Sequence, residues 1–426
     1  MPVPAPPWAA PTASAPLHAV VALPGSKSVT NRALVLAALT PGRSVLRRPL
    51  RSRDTTLMVA ALSALGVSVF EDGPDWVVEG SGEALQAVTG RVDVGNAGTV
   101  ARFLPGVAAL GLGAVRFDGD PRVRERPLGP LLAALREFGA DLDGVRSLPV
   151  TVTGHGEVRG GAVTVDATQS SQLISGLLLV APRFAEGVTV RHDGGRLPSA
   201  PHVAMTVQAL RDAGARVTVG DLSWRVEPVP LQPRDATVEP DLSTAAAYLA
   251  APVVAGGSVT VTGWPRETAQ PGAVLPDLLA AMGAVVTRTD TDVTVSAGSG
   301  LHGIEADLGD APELTMVLTA LAALANSPSR FTGVAHIRLQ ETDRLAALAT
   351  ELNRLGGDVR ELPDGLEVNP RPLTGGVLQS YDDHRIAMAW AVLGLGVAGI
   401  EIEDIATTGK TVPDFAGSWH RMLAAE

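Results

Sequence analysis

Cysteine is absent from these 426 residues, and lysine nearly so: of 34 lysines and arginines, only Lys27 and Lys410 are lysine. The first absence removes disulfides, thiolate nucleophiles and cysteine-ligated metal sites together. Aromatic residues make up 4%, and no apolar run reaches the roughly 18–20 residues that a membrane-spanning helix needs. The eight histidines show no HExxH or similar spacing, so no metal centre is expected. Net charge is −11, which argues against a broad nucleic-acid surface. It leaves room for a few cations concentrated around a small anionic substrate. Residues 1–16, rich in proline and alanine without a basic start, read as a loose tail and not a signal peptide, so the expected location is the cytoplasm.

What is present is length, apolar content and repetition. A hydrophobic fraction of 46% over this length suits two domains, each with a sizeable core. A leucine-bearing helix, a glycine and an alternating strand recur around Gly66, Gly139, Gly214, Gly283 and Gly356, at intervals of 69 to 75 residues. Each glycine has a leucine four residues before it (Leu62, Leu135, Leu210, Leu279, Leu352). Each has an apolar residue three after it (Val69, Leu142, Val217, Val286, Val359). The glycine suits a left-handed helix stop, and the alternation beyond it a half-buried strand pair.

A sixth copy begins near Gly417 but the chain ends at Glu426, before its strands. We expect Leu17–Leu23 to supply the missing strand. Six units grouped three and three predict an α/β fold of two similar domains, the first from residues 1–22 plus 240–426 and the second from 23–239. Prolines at both crossings, Pro24 and Pro240, suit hinge positions.

The stretch Pro24-Gly25-Ser26-Lys27-Ser28-Val29-Thr30-Asn31-Arg32 precedes an apolar run, which places Lys27 and Ser28 at a helix N-terminus and Arg32 one turn in. Unpaired N–H groups, the helix dipole, hydroxyls and two cations make an anion site there, although an ordinary capped helix with solvated charges fits the same residues. A lysine ammonium differs from a planar guanidinium, so the two surviving lysines mark places where arginine fails. Gly95-Asn96-Ala97-Gly98-Thr99 is a second glycine-rich entry into a helix. Among Arg122, Arg124 and Arg126, between prolines, Arg126 is the expected inward cation, beside a proline that should begin a helix. Thr168-Gln169-Ser170-Ser171-Gln172 and Ser199-Ala200-Pro201-His202 open two more helices, by capping or by oxyanion binding.

The second half carries the acids. Glu313 stands at the start of an apolar helix, where capping alone could explain it. Glu341 and Arg344, three apart, could be a surface salt bridge or a site pair. Asp382-Asp383-His384-Arg385 leads into a buried-looking helix, and Lys410 follows Gly409 in a turn.

Taken in order, PGSKSVTNR, GNAGT, RERP, SSQ, ETDR, DDHR and GKTVPD closely resemble the 5-enolpyruvylshikimate-3-phosphate (EPSP) synthase family of enolpyruvyl transferases, over nearly the whole chain after residue 16. The resemblance implies two domains of three βαβαββ-type repeats each, an inverse α/β barrel-like architecture that closes about a hinge. It implies transfer of the enolpyruvyl group of phosphoenolpyruvate to the 5-hydroxyl of shikimate 3-phosphate, with the site completed between the domains. The reaction passes through a tetrahedral intermediate, without metal or cofactor, and serves aromatic amino acid biosynthesis. By the same resemblance Lys27, Asn96, Gly98, Arg126, Gln172, Arg344, Arg385 and Lys410 would hold phosphoenolpyruvate or the departing phosphate. Lys27, Ser28, Arg32, Ser170, Ser171, Gln172, Ser199, Glu313 and Gln340 would hold shikimate 3-phosphate. Glu313 would act as general base on the hydroxyl, Glu341 with Lys410 would manage the methylene proton, and His384 would support the phosphoenolpyruvate side; with Lys27 these five form the catalytic set. The expected partners are these small molecules and the inhibitor glyphosate, with no nucleic acid and no membrane, the chain acting as a monomer.

The chain departs from the commoner family pattern at several positions. Glu313 stands where aspartate is frequent, His202 replaces a tyrosine, His336 an asparagine, and Gln340 a lysine, which removes a cation. Gly98 keeps the small residue associated with glyphosate sensitivity, while Phe103 takes a place usually held by proline. Two alternatives are an enolpyruvyl transferase acting on UDP-N-acetylglucosamine and an inactive anion-binding homologue. The missing cysteine and the Lys27-Ser28 pair argue against the first. Intact Lys27, Glu341, Arg385 and Lys410 argue against the second.

Overall fold

The structure is a computed structural model that describes residues 6–425. The chain divides into two compact units, one continuous over Gly25–Val238, the other built from the residues up to Pro24 and those from Glu239 onward.

The repeated glycine and leucine form one device. At Gly66, Gly139, Gly214, Gly283 and Gly356 φ is +91°, +96°, +89°, +101° and +100°, a conformation that glycine alone adopts without strain. The residue after each glycine donates its N–H to the carbonyl of the repeated leucine: Val67 to Leu62, Ala140 to Leu135, Ala215 to Leu210, Ala284 to Leu279 and Gly357 to Leu352, at 2.9–3.0 Å. This is the Schellman helix stop, and it satisfies carbonyls that the helix end would otherwise orphan. All five leucine side chains are fully buried. Each leucine therefore anchors the helix to the core and terminates it.

In the continuous unit three sheets share one plan: a strand parallel to its neighbour, then antiparallel strands. Their orders are Asp235–Thr237, Gly42–Arg47, Asp75–Gly80, Ser68–Asp72; then Leu85–Gln86 and Arg91–Asp93 beside Gly111–Asp118, Val150–His155, Asp141–Leu142; then Gly161–Val165, Val188–His192, Ser223–Val226, Val217–Gly220. Inside them lie the helices Lys27–Ala38, Gly98–Ala109 and Gln172–Val180, packed on one another. Gly98–Ala109 is buried at every residue, because mostly apolar or small side chains circle it completely. Helices inside and sheets outside make this an inverse α/β arrangement.

The other unit repeats the plan with helices Ala245–Ala255, Thr315–Leu324 and His384–Gly396 inside. Here the N-terminal segment corrects two expectations. Leu17–Ala22 does join this unit, but it runs parallel to Gly257–Thr262 and completes the sheet of the fourth repeat. The sixth repeat is completed instead by Trp8–Ala9, antiparallel to Ile400–Ile402, which in turn runs parallel to Gly376–Leu378. Nor is the chain a loose tail from Trp8 onward. Ala10 is buried, and Trp8 meets the ring of His420 edge to face at 5.7 Å. No helix among the described residues is long and apolar enough to cross a membrane.

The helix stops differ in how much space surrounds them. A Cβ at Gly66 would lie 2.3 Å from the Gln86 carbonyl oxygen, whereas one at Gly139 meets nothing nearer than 3.8 Å. Gly139→Ala should cost only the left-handed strain, about 1–2 kcal/mol. Gly66→Ala should cost more, through the added clash. Urea unfolding of the two variants measures the difference, and equal losses would show that the Gln86 turn gives way freely.

Candidate active site

Four helices of the continuous unit begin close together: Lys27–Ala38, Gly98–Ala109, Gln172–Val180 and Ala200–Asp212. Ser26, Ala97, Ser171 and Ser199 occupy their N-cap positions, and none makes a side-chain capping bond. Side chains tie these helix starts to each other instead. Asn31 donates from Nδ2 to Thr99 Oγ1 at 2.7 Å, Arg102 from Nη1 to Gln172 Oε1 at 3.4 Å, and Ser171 from Oγ to the Ser199 carbonyl at 3.2 Å. Ser199 has φ +51°, a left-handed conformation that a serine adopts only where the surroundings impose it. Helix N-termini gathered this way favour an anion through their N–H groups and dipoles.

Of the three clustered arginines, Arg122 pairs with Glu125 and Arg124 with Asp118 at the surface, while Arg126 turns inward and is buried. Arg126 donates from Nη1 to the Asn96 carbonyl at 3.2 Å and to Oδ1 at 3.4 Å, and its buried Nε has no hydrogen-bond partner among the described residues. Pro127 does not begin a helix; Arg126 follows the short helix Pro121–Glu125, and the next helix is Gly129–Glu137. Gly98 is where this guanidinium needs room. A Cβ there would lie 2.7 Å from Arg126 Nη2 and 2.7 Å from Arg102 Nη1.

Lys27 sits at the first position of its helix, 3.3 Å from the Oδ2 of Asp54, whose side chain is almost wholly buried. Nothing in the sequence distinguishes Asp54, since an acidic residue in a first helical turn is ordinary. Arg32 lies one turn further into the same helix. Its guanidinium is buried and donates to Thr206 Oγ1 at 2.8 Å, the Ser28 carbonyl at 3.0 Å and the His202 carbonyl at 2.8 Å, over the ring of Phe103 at 5.4 Å. Burial lowers its pKa to about 10. Phe103 is thus the platform for Arg32.

In the other unit one chain of charges links the acidic motifs. Lys410, 3% exposed at its side chain, donates from Nζ to Glu341 Oε1 at 2.8 Å. Arg344, 1% exposed, reaches Glu341 Oε2 at 2.9 Å and Asp383 at 2.7 Å to Oδ2 and 3.3 Å to Oδ1, and its Nη1 donates to Gln340 Oε1. Glu341 and Arg344 are therefore a buried pair, not a surface bridge. Burial works against the charge on Arg344, but Asp383, Glu341 and, more weakly, Glu313 outweigh it and hold its pKa above the ordinary arginine range. Glu313 lies in the 3-10 turn Pro312–Leu314 that leads into Thr315–Leu324. Asp383 also caps its own helix by accepting from Arg385 N at 2.9 Å, which places His384 and Arg385 in the first turn. Tyr381 and Asp382, at φ +55° and +52°, form the strained approach to it. Gln340 occupies a position where a lysine would set a second cation against Arg344; its amide oxygen accepts instead.

Removing one partner of a buried pair leaves the other charge uncompensated. Asp383→Ala should destabilise the protein by about 3–5 kcal/mol, measured by urea unfolding. A loss below about 1 kcal/mol, the range of surface pairs, would show that Glu341 and Gln340 suffice for Arg344.

A family model described as EPSP synthase (3-phosphoshikimate 1-carboxyvinyltransferase) matches residues 11–419. Two solved structures of EPSP synthase from Acinetobacter baumannii superpose with a TM-score of 0.81 at 24% identity, one covering 98% of this chain and 97% of its own, the other 97% of each. The enolpyruvyl transferase NikO from Streptomyces tendae superposes with a TM-score of 0.76 at 20% identity, over 96% of each chain. These structural likenesses establish the fold, and the family match spans nearly the whole chain. The protein belongs to the EPSP synthase family.

Proposed function

We propose that this enolpyruvyl transferase is a 3-phosphoshikimate 1-carboxyvinyltransferase, joining phosphoenolpyruvate to the 5-hydroxyl of shikimate 3-phosphate and releasing inorganic phosphate. The observation that carries this reading is the placement of the chain's two lysines. Each lies largely out of water against a carboxylate, Lys27 on Asp54 and Lys410 on Glu341. A shielded ammonium–carboxylate pair can hold a proton and deliver it to carbon, which adding to an enol ether requires.

In the proposed sequence Glu341 with Lys410 protonates the methylene carbon of phosphoenolpyruvate while Glu313 takes the proton of the 5-hydroxyl. The hydroxyl oxygen bonds to the adjacent carbon and gives a tetrahedral adduct. A methyl proton then returns to the Glu341–Lys410 pair, restoring the double bond as the carbon–oxygen bond to phosphate breaks and inorganic phosphate leaves. Positive charge must surround the leaving group. Arg126, Arg344, Arg385, Lys27 and Lys410 fill that role, with Asn96, Gly98 and Gln172 completing the phosphoenolpyruvate site and His384 supporting it. Ser28, Ser170, Ser171, Gln172, Ser199 and Gln340 hold shikimate 3-phosphate. Arg32, whose guanidinium is engaged by Thr206, Ser28 and His202, acts by holding the first helix in place.

Because the same fold serves a protein titled only enolpyruvyl transferase, the acceptor is the quantity to test. Phosphate release from phosphoenolpyruvate, with a chelator present, should occur with shikimate 3-phosphate and not with UDP-N-acetylglucosamine. Release with the second acceptor, or with neither, overturns the proposal. Under the same assay Glu341→Gln should lower kcat by about 10²–10⁴-fold. Near-normal turnover would remove Glu341 from proton transfer.

Gly98→Ala tests the phosphoenolpyruvate side separately. By pushing the Arg126 guanidinium aside it should raise the KM for phosphoenolpyruvate by about 10–100-fold, with a smaller change for shikimate 3-phosphate. An unchanged KM would mean that Arg126 does not bind that substrate.

A further inference from the structure

His192 ends the strand Val188–His192, which runs parallel to Gly161–Val165. The loop after each strand leads to serines of the acceptor site, Ser170 and Ser171 after Val165, Ser199 after His192. The ring is buried and lies between the two loops. The Ala167 N–H points at its Nδ1 at 3.2 Å, and Nε2 is 3.0 Å from the Gly195 carbonyl oxygen. The Val165 carbonyl oxygen is 3.1 Å from Nδ1.

These contacts select a form of the ring. With the proton on Nε2, the ring donates to Gly195 and accepts from Ala167, and so holds both loops. With the proton on Nδ1, it would set a lone pair against the Gly195 oxygen and leave Ala167 without its acceptor. A doubly protonated ring would keep Gly195 but turn an N–H toward Ala167 N–H, bonding Val165 instead. Of these forms only the neutral Nε2–H ring accepts the Ala167 N–H while donating to Gly195, with the Val165 carbonyl oxygen then beside the Nδ1 lone pair.

The rest of the cradle fits this clamp. Ala167 accepts at its carbonyl from Ser170 N at 3.0 Å, so the atom group held by His192 begins the serine turn. At the far end Ser171 Oγ donates to the Ser199 carbonyl. Gly194 lies between the loops with no room for a side chain: a Cβ would be 2.5 Å from Thr168 Cγ2, 2.6 Å from His192 Cε1 and 2.7 Å from Asp166 Oδ1.

We propose that His192, as the Nε2–H tautomer, is a positioning residue for the acceptor substrate, fixing the spacing of the two serine loops that together grip a phosphate monoester. The inference rests on the proposed function for the identity of that substrate, and on the geometry above for the clamp itself.

Steady-state kinetics and nitrogen-15 imidazole spectra of the full chain test the two parts. His192→Ala should raise the KM for shikimate 3-phosphate about tenfold, the scale of one lost orienting hydrogen bond, leaving kcat and the KM for phosphoenolpyruvate within about twofold. His192→Asn keeps an acceptor for Ala167 and His192→Gln a donor for Gly195, so each should recover part of that loss. Gly194→Ala, with the histidine intact, should reproduce the selective rise by wedging the loops apart. An unchanged KM for shikimate 3-phosphate overturns the proposal. So does a parallel loss of kcat and both KM values with a lowered melting temperature, the mark of a merely structural residue. In the wild type the spectrum should show protonated Nε2 and an accepting Nδ1; the other tautomer or an imidazolium overturns the clamp whatever the enzyme turns over. Absence of wild-type turnover with shikimate 3-phosphate would overturn the substrate assignment, while the spectrum would still decide the clamp.

Discussion

A helix N-terminus whose N-cap side chain makes no capping bond presents its positive end to what lies before it, and the continuous unit gathers four of them. Their N-cap side chains leave the capping role undone, and Asn31, Arg102 and Ser171 are spent on fixing the helix starts relative to one another. Arg126 adds a buried cation with an unanswered Nε. The other unit solves the opposite problem. There Asp343 and Asp383 cap their own helices, and the charges of Glu341, Arg344, Asp383 and Lys410 answer each other within hydrogen-bond distance. One unit gathers helix starts that favour negative charge, and the other sets buried carboxylates and cations against each other. That division suits a reaction whose substrates are both anions and whose difficult step is a proton transfer to carbon.

The repeat was legible because its chemistry is local. A Schellman stop requires glycine at one position, and the residue that accepts its outer hydrogen bond lies within one turn, so leucine and glycine keep a fixed spacing through five copies. The ends of the chain were harder. Leu17–Ala22 reads as a strand from its alternation, yet nothing in six residues specifies which of two incomplete sheets it joins. Trp8–Ala9, only two residues long, has no period to read at all.

The site divides along the same line. Lys27, Arg126, Glu341, Arg344 and Lys410 could be chosen from sequence because glycine, proline and hydroxyl residues cluster around them, or because lysine is so scarce. Asp54, Thr206 and His192 could not, nor could the contact of Phe103 with Arg32. Thr206 meets Arg32 across 174 residues, and Phe103 stands inside an apolar helix where a core role explains it fully. The same holds for the partners of Arg32: its motif places it near the site, and the packed structure shows three of its five N–H donors engaged within the unit.

The discontinuous unit also sets an order of events during synthesis. Trp8–Ala9 and Leu17–Ala22 emerge first, but their partners are Ile400–Ile402 and Gly257–Thr262. At translation rates of about 5–20 residues per second the first strands wait for tens of seconds. The continuous unit has all its strands once Thr237 has been made. The nascent chain thus carries unpaired strands while the whole continuous unit is being made. Its exposed edges must avoid other growing chains until Gly257–Thr262 and then Ile400–Ile402 have been made.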